Sequence, residues 1–566
     1  MPLRELLKRS VRLRLAANWV RARTYAFPDW KPIVTRDRAR WDEARTRARG
    51  GPRVLIATGV GGHPGPVTLE SLLAVALTLR GADVHILLCD RLLPACELTE
   101  TTWFPDHRRF VRAGPQESLC HVCFEPARRA YAPLGLPIHL YGGLVAATEQ
   151  AEVDELAATL SRAEIERYVR DGIAVGEHAV AGAMRFYARG TLDGEPHADA
   201  VLRRYFRAAL LTTVAVRRLF AASPFEAVVS QHGIYVPQGL VGETARHAGV
   251  RVVNWNEAYR RRRFIFSHGD TYHRTIMAEP TASWERLEWT PRLERDVMAY
   301  LDSRRHGQRD WIWFHERPVE DVAEIARRLG VDFSRPCVGM LTNVMWDAQI
   351  HYPSNAFRSM LDWTLQTIAY FEKRPELQLL IRVHPAEIRG TLPSRQPIVA
   401  EIRQHYPTLP RNVFLIGPED PISTYATMLE CDAVIIYGTK TGVELSSRGV
   451  PVIVAGEAWI RGKGVTMDAS TPEDYFRLLD QLPLGRRLPE DVVRRARTYA
   501  YHFFFRRMIP LEFTRPLKGW LPYRLDLERI EQCAPGRSAG LDVICDGILN
   551  GRAFIYPEER GLVAPE

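Results

Sequence analysis

Between residues 343 and 463 a series of polar side chains stands at the ends of apolar runs: Asn343 and Asp347; Arg382, His384 and Glu387; Thr439, Lys440, Thr441, Gly442 and Glu444; and Lys463. Their types suit a phosphorylated ligand. The turn Gly438-Thr439-Lys440-Thr441-Gly442 interrupts an apolar run just where helical spacing resumes. Its unpaired backbone N–H groups and the positive end of the helix therefore point beyond the strand. Two hydroxyls and an ammonium add donors at the same place. Arg382 and His384, two residues apart on a predicted strand, would present a guanidinium and an imidazole to one face, where a phosphate could meet both. Glu444, one turn into the helix, would repel phosphate but suits a ribose diol, which offers two O–H donors. An ion pair with Arg448, four residues on, is its structural alternative.

The elements that must position these residues follow the periodicity of strand–helix units. Strands are predicted at 53–58, 82–88, 225–230 and 251–253, and then, beyond a charged helical stretch, at 337–341, 377–383, 413–416, 433–437 and 451–455. Helices fall between them, for example at 67–79, 239–247 and 357–371. Two such series predict an α/β protein with two Rossmann-like domains facing across a cleft, with ligands at the carboxyl ends of the strands. The glycine-rich turn GVGGHPG after the first strand departs from the dinucleotide fingerprint G-x-G-x-x-G. The expected division is a basic arm over 1–50, a first domain with a helical insert over 51–280, a helical linker over 281–335, a second domain over 336–480 and an aromatic helical tail over 481–566. The tail's Tyr499, Tyr501, Phe503, Phe504 and Phe505 are expected to pack on the domains rather than stack on bases.

Of 566 residues, 46% are hydrophobic and 25% charged, an ordinary globular composition. The formal charge is +9, yet residues 1–53 carry 15 Lys/Arg against 5 Asp/Glu, which leaves the remainder close to neutral. A basic excess confined to one end argues against a nucleic-acid partner. It suits an arm that meets anionic lipid or a protein, or one that serves solubility. No apolar run reaches the ~18 residues that span a bilayer, and no signal-peptide core is present, so the expectation is a cytoplasmic protein, peripheral at the inner face of the membrane if the arm binds lipid. Eight cysteines in such a chain are not a disulfide framework. Cys89, Cys96, Cys120 and Cys123 have paired spacings that leave two readings open, one closed structural zinc site or four reduced thiols. No other cofactor is indicated.

The stretches Arg382-Val383-His384-Pro385-Ala386-Glu387, Gly438-Thr439-Lys440-Thr441-Gly442-Val443-Glu444, Gly449-Val450-Pro451-Val452-Ile453 and Gly462-Lys463-Gly464, with Asn343 and Trp346-Asp347 ahead of them, resemble the capsule polysaccharide biosynthesis family. This family comprises GT-B-like enzymes related to the bacterial capsule Kdo transferases. The likeness covers about residues 336–470. It implies a GT-B fold, a nucleotide-activated sugar as donor, and a cytoplasmic glycosyltransferase reaction on a growing, often lipid-linked surface glycan. It places the donor's nucleotide at His384-Pro385 and its phosphate at Thr439–Gly442. The sugar is not carried over, because the turn holds a lysine where the family's is commonly serine-rich. Enzymes of this fold often draw a catalytic base from loops of the first domain, and His63, His232 and His268 stand on such loops. A nucleotide-sugar 2-epimerase-like enzyme and a non-catalytic scaffold of a glycan assembly complex are the alternatives.

Overall fold

The computed structural model describes residues 27–307, 309–311, 318–347, 354–517 and 523–557, with isolated positions 13, 16 and 20. The chain forms two compact units: residues 1–187, 191–275 and 507–556 make unit 1, and 188–190, 276–506 and 557–566 make unit 2.

Unit 1 is built on strands β1 (Arg53–Gly59), β2 (Asp83–Leu88), β3 (Ile138–Leu140), β4 (Ala227–Gln231), β5 (Arg251–Glu257) and β6 (Arg263–His268). The order across the sheet is β6-β5-β4-β1-β2-β3, and β1 to β5 run parallel. Only β6 turns back, antiparallel to β5. Unit 2 carries β7 (Cys337–Leu341), β8 (Gln378–Arg382), β9 (Val413–Ile416), β10 (Ala433–Ile436), β11 (Val452–Val454) and β12 (Met467–Asp468), all parallel, in the order β12-β11-β10-β7-β8-β9. Each unit thus has a Rossmann-like sheet whose strand order reverses beside its first strand, at β1/β4 in one and β7/β10 in the other. Crevices for ligands open at such points. The central strands are near-continuous apolar runs because helices cover both faces; all five residues of β7, for example, are buried.

The α/β class with two Rossmann-like units is the one expected, but the division of the chain differs in three places. Residues 30–48 are not a free arm. The helices Trp30–Arg36 and Arg38–Ala48 bury Trp30, Ile33 and Val34, then Trp41, Ala44 and Ala48, and Trp41 Nε1 donates to Leu134 O at 2.9 Å. Residues 1–24, where most of the arm's charge was expected to act, lie outside the described residues apart from positions 13, 16 and 20. The expected linker belongs to unit 2: in the helix Pro291–Ser303, Leu293, Val297, Tyr300 and Leu301 recur at helical spacing and form a buried face. The tail is shared between the units. The helix Glu490–Tyr501 and the turn after it pack into unit 2, with Phe503 and Phe504 fully buried. From Arg507 the chain belongs to unit 1, where β13 (Ile509–Pro510) pairs antiparallel with β6 and the helix Ala539–Asn550 buries Leu541, Ile544 and Ile548. Among the described residues no helix is long and apolar enough to cross a membrane.

Candidate functional site

In unit 2 the polar residues do gather at the carboxyl edge of the sheet, and the structure shows which of them are tied into the fold. Asn343 follows β7 and its Oδ1 accepts the Gly438 N–H at 3.3 Å, a bond that spans the point where the strand order reverses. His384 lies two residues beyond β8. Its N–H donates to Thr342 Oγ1 at 3.2 Å, and its Nδ1 accepts the Ala386 N–H at 3.1 Å, which assigns the ring proton to Nε2. Burial, then Lys440 and Arg382, pull its pKa down to about 4, so at neutral pH it is an uncharged N–H donor. Thr439 and Thr441 share a hydroxyl contact of 3.1 Å, and the Thr441 N–H donates to Thr439 Oγ1 at 3.3 Å. Asp347 is exposed in the stretch after β7.

Five of the expected donor-binding residues have other work. Arg382, 2% exposed, donates to Gly417 O at 2.6 Å, Asp420 O at 3.1 Å and Thr424 Oγ1 at 3.3 Å. A buried guanidinium must satisfy its donors, and this one does so by fixing the loop after β9; burial pulls its pKa down to about 10. Glu387 is fully buried and accepts the Ile398 N–H at 3.2 Å, at the start of the helix Ile398–His405. Gly442 serves packing: a Cβ there would stand 2.6 Å from Ile436 Cδ1. Lys463, 1% exposed, donates to Met277 O and Glu279 O, each at 2.8 Å.

Glu444 is tied into a buried network. It is 1% exposed, bonded by the Tyr425 hydroxyl, paired with Lys440 Nζ at 3.1 Å and with Arg304 Nε at 3.1 Å. Burial raises the pKa of its carboxyl, but Arg304, then Lys440 and Tyr425, outweigh burial and hold it at about 2. Arg304 also pairs with Asp310, which accepts from Tyr300 OH at 2.8 Å. Arg448 bonds Asp302 instead of Glu444. Lys440 is therefore shared between the turn and this buried network, and burial and Arg304 lower its pKa. Sequence reasoning missed Arg304, Asp310, Tyr300 and Tyr425; a charged helix and a helix face carry no pattern that would pick them out.

In unit 1 two of the three histidines come together. His63 is the N-cap of the helix Pro64–Leu79, in the turn after β1, and His232 follows β4. Both lie within electrostatic reach of Glu97, as does Arg185. Burial works against the charge of Glu97, yet His63, Arg185, His232 and a 2.9 Å hydrogen bond from Gln238 Nε2 hold its pKa below the usual carboxylate range. His232 has φ of 62°, a left-handed conformation uncommon outside glycine, and stacks on Tyr235 at 5.2 Å. Two more carboxyls stand beside them. Glu70, 1% exposed, accepts from Trp255 Nε1 at 3.1 Å, and burial pushes its pKa up to about 7. Glu257 accepts from Gln231 Nε2 at 3.2 Å and Tyr523 OH at 3.3 Å, and burial raises its pKa too. His268 is elsewhere. Because β6 is antiparallel, its last residue falls opposite Val253, at the other end of β5 from Glu257, and the ring stacks on Phe554 with Nε2 2.8 Å from Arg552 O.

The four paired cysteines also meet, around one pocket of unit 1. They do not converge on a point: among the described residues no group of three or more His, Cys, Asp or Glu is placed to hold a single metal ion. A closed zinc site would bring four sulfurs to ~2.3 Å from one centre.

A family model described as capsule polysaccharide biosynthesis protein matches residues 321–485, the stretch that holds β7 to β12 and the whole unit 2 site except Arg304, Asp310 and Tyr300. The resemblance read from the residues is shown over that segment. No curated protein matches the chain. Solved structures similar to it include the β-Kdo 2,4 transferase of Thermosulfurimonas dismutans KpsC, 15% identical over 48% of this chain and 79% of that chain, with a TM-score of 0.32. The β-Kdo 2,7 transferase of the same protein is 12% identical over 50% and 79%, with a TM-score of 0.29. A UDP-GlcNAc 2-epimerase from Neisseria meningitidis is 10% identical over 78% and 94%, with a TM-score of 0.24.

Proposed function

We propose that the chain is a glycosyltransferase of capsule-type surface polysaccharide biosynthesis, with a nucleotide-activated sugar as donor and a glycan, lipid-linked or free, as acceptor. The observation that carries this reading is the set of donors at the reversal of the unit 2 sheet, inside the family-matched segment. Asn343, the uncharged His384, the hydroxyls of Thr439 and Thr441, and the N–H groups at the start of the helix Thr441–Ser446 stand together there beside Lys440. Such a set fits a nucleoside diphosphate or monophosphate leaving group. For the acceptor, His63 or His232 takes the proton of the attacking hydroxyl, and Glu97 orients and stabilises the imidazolium that forms. The reaction is placed at the cytoplasmic face, where nucleotide sugars are made.

A thermal-shift panel of CMP, UDP, CDP and GDP tests the donor site, because a nucleotide that binds only the folded state raises its apparent stability. One nucleotide is expected to stand out, and His384→Ala is expected to weaken its binding about tenfold, the loss of one good hydrogen bond. No response to any of the four refutes the assignment. Conversion of the matching nucleotide sugar without an acceptor would favour the epimerase-like alternative.

A further inference from the structure

The four cysteines of unit 1 take no part in the site just described, yet the fold brings them together from two separate segments. Cys89 follows β2 directly and Cys96 lies in the loop beyond it; Cys120 and Cys123 occupy the first turn of the helix Cys120–Tyr131. All four line one pocket, with Val60, Leu93 and Leu98 among its apolar walls.

Three of the sulfurs are surrounded by backbone donors. The N–H groups of Leu93, Arg91 and Leu92 point at Cys89 Sγ, those of Leu98 and Thr99 at Cys96 Sγ, and those of Gly61 and Gly62 at Cys123 Sγ. A neutral thiol is a weak acceptor and does not need them. A thiolate does, and N–H bonds to sulfur are a device by which proteins stabilise and tune metal-bound thiolates. The first turn of a helix, where Cys120 and Cys123 sit, adds positive potential.

The four cysteines share this pocket, and among the described residues no three of them are placed to hold a single ion. That arrangement suits a cage that fills the middle and reaches outward to its ligands. We propose that Cys89, Cys96, Cys120 and Cys123 ligate an iron–sulfur cluster of the four-cysteine type. Ligation replaces four S–H bonds by four Fe–S bonds and releases four protons, with no change in oxidation state. The cluster would fix the turn GVGGHPG, since Gly61 and Gly62 donate to Cys123 Sγ, and with it the position of His63. The proposal does not depend on the reaction the enzyme performs.

The test uses the full chain, purified anaerobically and reconstituted with ferric iron, sulfide and a thiol reductant, so that the iron itself supplies the oxidising equivalents the assembled cluster retains. About four iron and four acid-labile sulfide per chain are expected, with visible absorption that bleaches on reduction by dithionite. Cys96→Ser and Cys120→Ser are each expected to lower both contents to background with an unchanged far-UV circular dichroism spectrum. Cys545→Ser, at a buried thiol of the C-terminal helix, is expected to retain them. One zinc per chain without labile sulfide overturns the proposal in favour of a single-ion site. Iron that is removed by desalting, with no labile sulfide and four reactive thiols, overturns it outright. Both readouts are made on the wild-type chain, so they stand even where a variant fails to fold.

Discussion

Replacing Arg304 with methionine tests whether the helical segment before β7 is part of unit 2 and whether Glu444 is held by charge. The substitution keeps much of the aliphatic bulk that packs against Tyr300 and Phe504 and removes the cation. Glu444 is fully buried, and its carboxyl is held at about 2 against an ordinary 4.5. That difference corresponds to ~3 kcal/mol in favour of the ionised folded state, within the range of about 3–5 kcal/mol for removing one partner of a buried pair. For a unit of this size the loss would lower its melting temperature by about 6–12 °C. The pH dependence has a definite sign. In the wild type the folded pKa lies below the unfolded one, so this contribution is complete above pH 4.5 and is lost only as pH falls toward 2. In Arg304→Met the largest charge opposing burial is gone, the folded pKa rises from about 2, and this contribution shrinks. Urea unfolding followed by circular dichroism at pH 3 and pH 7 is therefore expected to show a larger deficit at pH 7, where the wild type has the whole contribution to lose. Arg328→Met, which breaks an exposed pair with Glu324, should change stability by no more than about 0.5 kcal/mol at either pH. An equal deficit at both pH values, or one no larger than that of Arg328→Met, refutes the reasoning.

Glu387 offers the opposite sign. Burial pushes its pKa up to about 7, so its contribution to stability falls as pH rises from 4.5 through 7. Glu387→Gln keeps an acceptor for the Ile398 N–H and is expected to be more stable than the wild type by ~2–3 kcal/mol at pH 8 and equal to it at pH 5, as read from denaturant midpoints. On the acceptor side, one of His63→Ala and His232→Ala, the one that removes the base, should lower the transfer rate by about 100-fold or more at unchanged nucleotide affinity. His268→Ala should leave the transfer rate within a few-fold, and rate assays with the matching nucleotide sugar decide between these outcomes.

The fold was legible where strands are buried on both faces. Runs such as Cys337–Leu341 and Val413–Ile416 have the bounds that the apolar pattern predicts. It was not legible where strands are short or at edges. Ile138–Leu140, Met467–Asp468 and Ile509–Pro510 have two or three residues each, too few to carry a period of two. The same limit applies to the sites. Spacing places Arg382, Glu387, Glu444 and Lys463 near the right sheet edge, but only packing decides that their polar atoms turn inward to carbonyls, a helix start and Arg304. Glu97 lies in Leu93-Pro94-Ala95-Cys96-Glu97, where nothing in the local sequence singles it out. It becomes part of a site because two histidines from distant loops flank it.

The two sheets share a strand order and differ in what stands at its reversal. In unit 2 the strongest charges are paired inside the protein, Glu444 with Arg304 and Lys440, and Arg382 with loop carbonyls. What remains outward is a set of neutral donors, hydroxyls, an imidazole N–H and backbone amides, with one partly shared ammonium. Fixed dipoles of this kind hold a phosphate without an excess of bound cations to be discharged when it leaves. In unit 1 the groups at the reversal are ones that exchange protons: two histidines beside an ionised carboxylate, with two further carboxyls whose pKa values burial has raised. Carboxyls whose environments push their pKa values apart are the mark of acid–base work. Each sheet edge thus has its own chemistry, fixed neutral donors at one and proton-exchanging groups at the other.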